Sequence, residues 1–394
     1  MTQFFTSSFN FRDPSVRQLE ESDIPAVMNL FKLNYGDDYI FPDLYDDKWY
    51  KRGIYSDHII WLVIQENDEI IASGSINLDY GGYNDQIGEI GKLVVNPRWH
   101  GKGFAQRMID SLLQATDYSV DFAFGETRTS HSASQKLLER GRYAVAGFIP
   151  HQYSIYDGRE SSMLYIKLYG NGLTLRSEAV LQIIPEVAPL ARHVLALMGL
   201  PISLNVVRDC APYEDSAICS VLPLDRTSLA KLARIEHGRL VEPLLFGGVT
   251  LDQGLSYIRR RNAIYLMAVD DNQNPVGALG YQQDETNRIV KGIELVAKDN
   301  HLRGQLCGSL LREAERLCAQ VIEVNVSAYD ARLQRTFADH GFHPVAYLPA
   351  MVFHGTSRLD VVKMLKLNVP YERGEMKLTE SAKAVVEIVE QGFL

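Results

Sequence analysis

Apolar and polar positions change period repeatedly along this chain, and the changes mark its elements. Val16–Glu20 reads as a short strand. Ile24, Val27, Met28 and Leu30–Phe31 recur at helical spacing behind Asp23, a candidate cap, so a helix is expected to about Tyr35. A segment dense in Tyr and Asp follows, from Asn34 to Tyr55. Ile59–Ile64 and Ile70–Leu78 read as two strands of a hairpin around the polar turn Glu66–Glu69. Ile87–Val95 is a further strand, and Gly101 opens a helix whose apolar face is Phe104, Met108, Ile109, Leu112 and Leu113. Val120–Thr127 is the next strand and Ser132–Arg140 a short helix. Ala144–Ile149 and Met163–Leu168 close this part with two strands.

The order then begins again after a break. Gly170–Leu200 holds Pro185 and Pro189 ahead of the apolar run Val194–Leu200 and reads as a helical connector. Beyond it, Ser228–His237 is a candidate first helix, and Ala263–Val269 and Val276–Gln282 flank the turn Asp271–Asn274. Gly292–Ala297 precedes Arg303-Gly304 and the helix Leu306–Cys318; Val321–Val326 leads to a helix ending at His340-Gly341-Phe342. Setting Gly101 on Gly304 and Tyr143 on Phe342 gives an offset of roughly 200 residues, too long for a solenoid and suited to a duplicated domain. An amphipathic helix, Thr379 to Gln391, ends at Gly392.

Composition narrows the function. The 394 residues suit two or three domains. A formal net charge of −9 argues against a nucleic-acid footprint and is compatible with a cationic substrate. Cys210, Cys219, Cys307 and Cys318 form no C-x-x-C pair, and no His stands at zinc-ligand spacing from them, so no metal is expected. Scattered thiols fit a reducing compartment. Met1–Pro14 lacks the pattern of a signal peptide, and no apolar run reaches the roughly 18 residues that span a bilayer. The expectation is a cytoplasmic protein that engages no membrane.

The chemistry concentrates in Leu93-Val94-Val95-Asn96-Pro97-Arg98-Trp99-His100-Gly101-Lys102-Gly103-Phe104-Ala105, where a strand runs into a tight turn and a helix starts on glycines. The first helical turn presents N–H groups with no internal partner and the positive end of the helix dipole, a site for an anion such as a diphosphate. Gly101 and Gly103 let the backbone approach phosphates without a Cβ in the way, and Arg98 and Lys102 add positive charge. A dinucleotide fingerprint would need a parallel βαβ start, whereas a hairpin precedes this turn. A nucleotide-hydrolase phosphate loop would need Gly-Lys-Ser/Thr, and Gly103 follows Lys102.

With these residues in view, the chain resembles the GNAT superfamily of N-acetyltransferases. Arg98-Trp99-His100-Gly101-Lys102-Gly103 matches its Q/R-x-x-G-x-G/A signature, between the fourth strand and the third helix. The resemblance spans roughly Val16–Leu168. It implies that Arg98, Trp99, His100, Gly101, Lys102, Gly103, Phe104 and Ala105 hold the diphosphate of acetyl-CoA. It also implies that Leu93, Val94 and Val95 pair with the pantetheine arm as a strand would. The fold implied is α+β, a mixed, mostly antiparallel sheet flanked by helices.

Transfer to an amine needs its neutral form, while an alkyl ammonium has a pKa near ~10, so some group must take the proton. Glu89 is the candidate; on a regular strand Glu89, Gly91 and Leu93 share one face, and members of the family often place a carboxylate early in this strand. The family's Tyr in the following helix, which protonates the leaving thiolate, is replaced here by Leu138, with Arg142-Tyr143 in place of Gly-Phe. Tyr143 or Tyr153 are candidate substitutes, and a thiolate with a pKa near ~8.5 leaves without much help. Ser134, with Ser132, is read either as touching the coenzyme or as capping the helix. The segment after the first helix walls the acceptor pocket in the family. Here Asp37, Asp38, Tyr39 and Tyr45 are candidates for holding an organic cation by charge and cation–π contact, or else belong to a solvated acidic loop.

In the second half, Leu333–Phe342 resembles the family's helix-to-strand pattern, with Phe337 at the Tyr position. His301-Leu302-Arg303-Gly304-Gln305-Leu306 keeps the first glycine and puts Leu306 where a second would stand, a side chain expected to crowd a phosphate. Glu294 lies near the place of Glu89. The expected organisation is an extension 1–15, an acetyltransferase domain 16–168, a connector 169–200, a second, degenerate GNAT-like domain 201–370 and a tail 371–394, a tandem of the mycothiol-synthase type. The expected function is acetyl transfer to a basic small-molecule amine. The alternatives are a non-catalytic acyl-CoA sensor or an acyltransferase using a longer acyl-CoA.

Overall fold

The protein, as a computed structural model, is described over residues 13, 15–37, 41–78, 85, 87–116, 120–155, 158–224 and 263–394. The candidate helix at Ser228–His237 and the candidate residues Asp38 and Tyr39 lie outside these. Two compact units emerge, one from described residues within 1–80, 86–125 and 167–171, the other from those within 81–85, 126–166 and 172–394.

The first unit runs β1 (Val16–Gln18), α1 (Ile24–Tyr35), α2 (Asp47–Ile54), β2 (Ile59–Glu66), β3 (Glu69–Asn77), β4 (Ile87–Val95), α3 (Phe104–Ala115) and the start of β5 (Phe122–Arg128). Its strands pair in that order, antiparallel except for β4 and β5, which are parallel. The β2–β3 turn places Asn67 and Asp68 at φ 48° and 64°, the left-handed pair that matches hairpin twist. Asp23 does not cap α1 through its side chain. Its carboxylate instead accepts from the Glu20 N–H at 2.9 Å and from the Arg17 guanidinium at 2.6 and 2.9 Å, fixing the turn before the helix.

The Tyr- and Asp-rich segment contains α2, which Asp46 caps by accepting from the Lys48 N–H. Its aromatics are core. Tyr50 is fully buried, and the Trp49 and Tyr50 rings lie 5.2 and 4.8 Å from that of Trp61. Ile24, Val27, Leu30 and Phe31 of α1 join Trp61, Val63 and Val94 in the same cluster. Burial of a side chain of this size is worth about 1.5–3 kcal/mol.

A β-bulge interrupts β4. Ser75 pairs with Gly91 and Ser73 with Val94, so Lys92 and Leu93 together oppose Gly74, and Lys92 takes φ 51°. The expected common face of Glu89, Gly91 and Leu93 is therefore broken. Glu89 Oε1 lies 3.9 Å from where a Gly91 Cβ would be, so those two share a face, but Leu93 turns toward Gly74 and Met108 of α3. Val94 then returns to the α1 side.

The second unit contains the end of β5, α4 (Ala133–Arg140), β6 (Ala144–Ile155), β7 (Gly158–Leu168), β8 (Leu181–Ile183), α5 (Ala188–Leu197), β9 (Leu204–Val206), β10 (Ser220–Pro223), β11 (Ala263–Val269), β12 (Pro275–Asp284), β13 (Ile289–Ala297), α6 (His301–Arg316), β14 (Val321–Ser327), α7 (Ala331–Asp339), β15 (His343–His354), β16 (Ser357–Leu367) and α8 (Glu380–Glu390). Its strand order is β7-β6-β15-β16-β14-β13-β12-β11-β10. β13 and β14 are parallel, as β4 and β5 are. The connector is only partly helical: β8 and β9 pair in parallel on either side of α5.

The β6–β7 hairpin belongs to this larger unit, and β6 meets β15 so closely at Gly147 and Ala346 that a Cβ on Gly147 would overlap Ala346. The unit also buries Arg358 completely, its guanidinium 2.7 Å from Asp85 and bonded to the carbonyls of Ala350 and Met351. A charge taken so far from water persists only when paired in this way. Thr379 caps α8 by accepting from the Ala382 N–H.

Candidate active site

In the first unit, β4 delivers the chain into a short 3-10 turn, Pro97–Trp99, capped by Asn96 Oδ1 accepting from the Arg98 N–H at 3.1 Å. Asn96 is itself held by Glu69 at 2.9 Å. Gly101 and Gly103 then adopt φ 77° and 87°, a conformation open to glycine and costly to other residues. A Cβ at either would meet nothing within 4 Å, so backbone conformation and not crowding selects glycine here. Helix α3 starts at Phe104 with no side-chain cap. Its first N–H groups have no partner inside the helix. The Lys102 ammonium sits 4.2 Å from the Trp99 ring centre, and Trp99 meets Phe104 edge-on at 5.3 Å. His100 Nε2 lies 3.0 Å from the carbonyl of Val95.

The pairing of β4 with β5 extends only over Ile87–Glu89 and Phe122–Phe124. Among the described residues of this unit, that pairing involves no residue of β4 beyond Glu89, while the other edge of β4 stays bonded to β3 as far as Val95. Glu89 is half-buried on the face shared with Gly91, with Lys92 Nζ 3.8 Å away. Thus Glu89, Leu93–Val95 and the turn through Ala105 are gathered in one unit.

Two acceptor candidates are engaged by the chain itself. The Lys32 ammonium lies 3.1 Å from Asp37 and 5.9 Å from the Tyr45 ring centre. Tyr45 also donates its hydroxyl to the carbonyl of Gly36 at 2.6 Å. The charge and the aromatic face read as suited to a cation therefore already hold one.

Ser134 and Tyr143 fall in the second unit. Ser132 occupies the position before α4 without a side-chain capping bond, and Ser134 Oγ is buried with no hydrogen-bond partner among the described residues. Thr127 Oγ1 near the end of β5 and His131 Nδ1 on the turn between β5 and α4 are likewise buried with no hydrogen-bond partner among the described residues, an arrangement proteins seldom keep without a reason. Burial holds the His131 imidazole below its usual pKa, with Arg128 adding to the effect. Tyr143 is packed away at 3% exposure, and Leu138 is buried too.

A polar ring that sequence reading missed lies on this unit's strands. Tyr153 donates to Glu126 at 2.6 Å, Tyr153 stands directly opposite Glu160 in the β6–β7 pairing, and Arg128 clasps Glu160 through Nε and Nη2. Glu160 also accepts from the Ser130 N–H at 3.0 Å. Burial raises its pKa, but Arg128 and Ser130 outweigh that and hold it lowered. Only strand register brings these four side chains together, and register is absent from any local pattern.

In the second half Glu294 accepts from Tyr265 at 2.9 Å and is buried. In the parallel pairing of β13 with β14, Lys291 faces Glu323. Leu306 does not reach toward a phosphate; it is fully buried, 3.1 Å from the Cβ position of Gly277. The reason is that α6 begins at His301 and runs through Arg303-Gly304 unbroken, which turns residue 306 to the sheet. Among the described residues no group of three or more His, Cys, Asp or Glu is placed to hold a metal, and no helix is long and apolar enough to cross a membrane.

Residues 24–142 match the family model of the Acetyltransferase (GNAT) family, and this part of the chain is a GNAT acetyltransferase domain. The protein is accordingly an acetyltransferase. No curated protein matches the chain. Similar solved structures include an N-acetyltransferase from Staphylococcus aureus (15% identity, TM-score 0.33), whose match covers 39% of this chain and 96% of that one. A ribosomal-protein-alanine N-acetyltransferase from Brucella melitensis is 15% identical over 39% of this chain and 98% of its own, with a TM-score of 0.34. A spermidine N-acetyltransferase from Vibrio cholerae is 16% identical over 39% and 92%, with a TM-score of 0.34.

Proposed function

We propose that this protein transfers the acetyl group of acetyl-CoA to the amine of a basic small molecule by direct attack in a ternary complex. The observation that carries the reading is the Gly101–Gly103 turn, two left-handed glycines leading into a helix that no side chain caps. Backbone N–H groups of Gly101–Ala105, with Arg98 and Lys102 beside them, bind the diphosphate of the donor. The edge of β4 beyond Glu89, outside the pairing with β5, supports the role of Leu93–Val95 along the pantetheine arm.

Glu89 takes the proton of the incoming ammonium. The freed amine attacks the thioester carbonyl, the C–N bond forms, the C–S bond breaks, sulfur leaves as the thiolate, and the proton still on the acylated nitrogen passes to that thiolate or to solvent. Protonation by a side chain is not required, because a thiol pKa near ~8.5 makes the thiolate an adequate leaving group. The buried Tyr143 is in keeping with that economy. A cationic acceptor drawn to Asp37 and Tyr45 would displace Lys32.

In this reading residues 16–168 form the acetyltransferase domain, 169–200 the connector, 201–370 a second GNAT-like domain and 371–394 the tail, in a cytoplasmic protein. The parallel β13–α6–β14 unit, matching β4–α3–β5, supports the duplication. The alternative of a non-catalytic acyl-CoA sensor draws on Leu138 and Phe337, both buried where the family places its Tyr.

The test is coenzyme A release from acetyl-CoA across a panel of polyamines, aminoglycoside-type amines and amino acids. Release with a basic amine supports the enzyme. Binding of acetyl-CoA without release for any amine moves the reading to the sensor, and absence of binding sinks both.

A further inference from the structure

The second half keeps two glycines, Gly304 and Gly308, four residues apart on α6 and therefore on one helix face. Both are needed, but for a neighbour inside the chain. A Cβ on Gly304 would collide with the backbone of Glu214, and one on Gly308 would collide with the carboxylate of Asp215. The segment Tyr213–Cys219 lies directly against the helix backbone there.

The attachment is specific along its length. The Tyr213 N–H donates to Thr336 Oγ1 of α7 at 2.8 Å, and its hydroxyl accepts from Arg303 at 3.0 Å. Arg332 covers the Tyr213 ring at 4.2 Å. Asp215 pairs with Arg312 at 2.8 Å. Gln305 accepts from the N–H groups of Ile218 and Cys219 and donates to the carbonyl of Cys219 at 2.6 Å. Three arginines on α6 and α7, the cations a bound diphosphate would seek, are thus taken by a phenol, an aromatic face and a carboxylate of the chain itself.

We propose that Tyr213–Cys219 is a built-in pseudo-ligand that fills the coenzyme position of the second half, so that each chain takes a single acetyl-CoA, at Gly101–Gly103. This deepens the reading of the second half as GNAT-like and rests on it. The start of α6 adds to the case: it continues through Arg303-Gly304 as regular helix and lacks the left-handed glycine turn that opens α3.

Cys219 reports on the segment, since its thiol is half-buried and 3.4 Å from Gln305 Oε1. Its labelling by a maleimide, followed by mass spectrometry on the full chain with and without saturating acetyl-CoA, tests the inference directly. The expected result is a rate unchanged by acetyl-CoA but raised severalfold by Gly308→Val, which pushes Asp215 off the helix. Calorimetry should show one equivalent of acetyl-CoA in both the parent and Gly308→Val, and none in Gly103→Trp. Faster Cys219 labelling with acetyl-CoA, or two equivalents per chain, would overturn the pseudo-ligand. Acetyl-CoA uptake that survives Gly103→Trp would do the same. No uptake by the parent chain counts against the proposed function alone, because the labelling response to Gly308→Val still decides whether the segment lies on α6.

Discussion

Asn34 Nδ2 donates to the carbonyl of Val95 at 3.0 Å, tying the last turn of α1 to the last residue of β4. The same amide reaches the Leu30 carbonyl at 2.8 Å, and His100 Nε2 lies 3.0 Å from the same Val95 oxygen. One carbonyl therefore anchors the glycine turn from both sides. Replacing Asn34 with Leu should lower stability by about 1 kcal/mol, the worth of a hydrogen bond of this type. It should also weaken acetyl-CoA uptake severalfold, because the turn loses one of its two tethers. Thermal melting and calorimetry on the same variant would show both effects or neither.

Gly103→Val separates conformation from crowding. At φ 87° a residue with a Cβ costs about 1–2 kcal/mol, while the space around that Cβ is open. The variant should fold with a modestly lowered melting temperature yet lose at least about tenfold in acetyl-CoA affinity, since its helix start no longer presents the same N–H groups. A wild-type dissociation constant would remove the turn from the binding site.

Glu89→Gln keeps the shape and removes the base. Loss of a positioned proton acceptor typically lowers turnover by about 10²–10⁴. The expected signature in steady-state kinetics is a fall in kcat with little change in KM for acetyl-CoA. A variant of undiminished kcat would assign the proton to another group.

Stability at acid pH should trace to Glu323. Burial would raise its pKa, but Lys291 and Lys363, the latter at 2.8 Å, overcome that and bring it down from 4.5 to about 2. A carboxyl depressed on folding stabilises above its unfolded pKa, and the contribution disappears as pH falls through the folded value. The window is thus about pH 4.5 to 2, and the linkage amounts to roughly 3 kcal/mol. Melting curves of the parent and Glu323→Gln should be far apart at neutral pH and converge across that window. Parallel curves would contradict the assignment.

Where the pattern along the chain was local, it was legible. Strand β4 and strand β11 run between the residues that alternation marked, Ile87–Val95 and Ala263–Val269, and the turn holding Gly101 and Gly103 falls between β4 and α3 as read, although a left-handed φ and not room for a phosphate is what calls for glycine there. Helix α2 was hidden because its eight residues include Gly53 and its aromatics read as a loop's anchors. The bulge puts its left-handed residue at Lys92 and not at the neighbouring Gly91, so nothing local marked it and Leu93 was put on the wrong face. The ring of Glu126, Tyr153, Glu160 and Arg128 depends on strand register. The Tyr213–Cys219 segment has no periodicity, and only the packing of Gly304 and Gly308 discloses it.

The near-overlap of Gly147 with Ala346 bears on how far this protein is modular. A polypeptide ending at residue 168 would keep hairpin β6–β7 but leave β6 with a bare edge where β15 belongs, an invitation to pair with another molecule. Truncation at the connector would therefore yield a sticky fragment in place of a free-standing catalyst, because the strand that closes the edge of β6 is supplied from beyond residue 168.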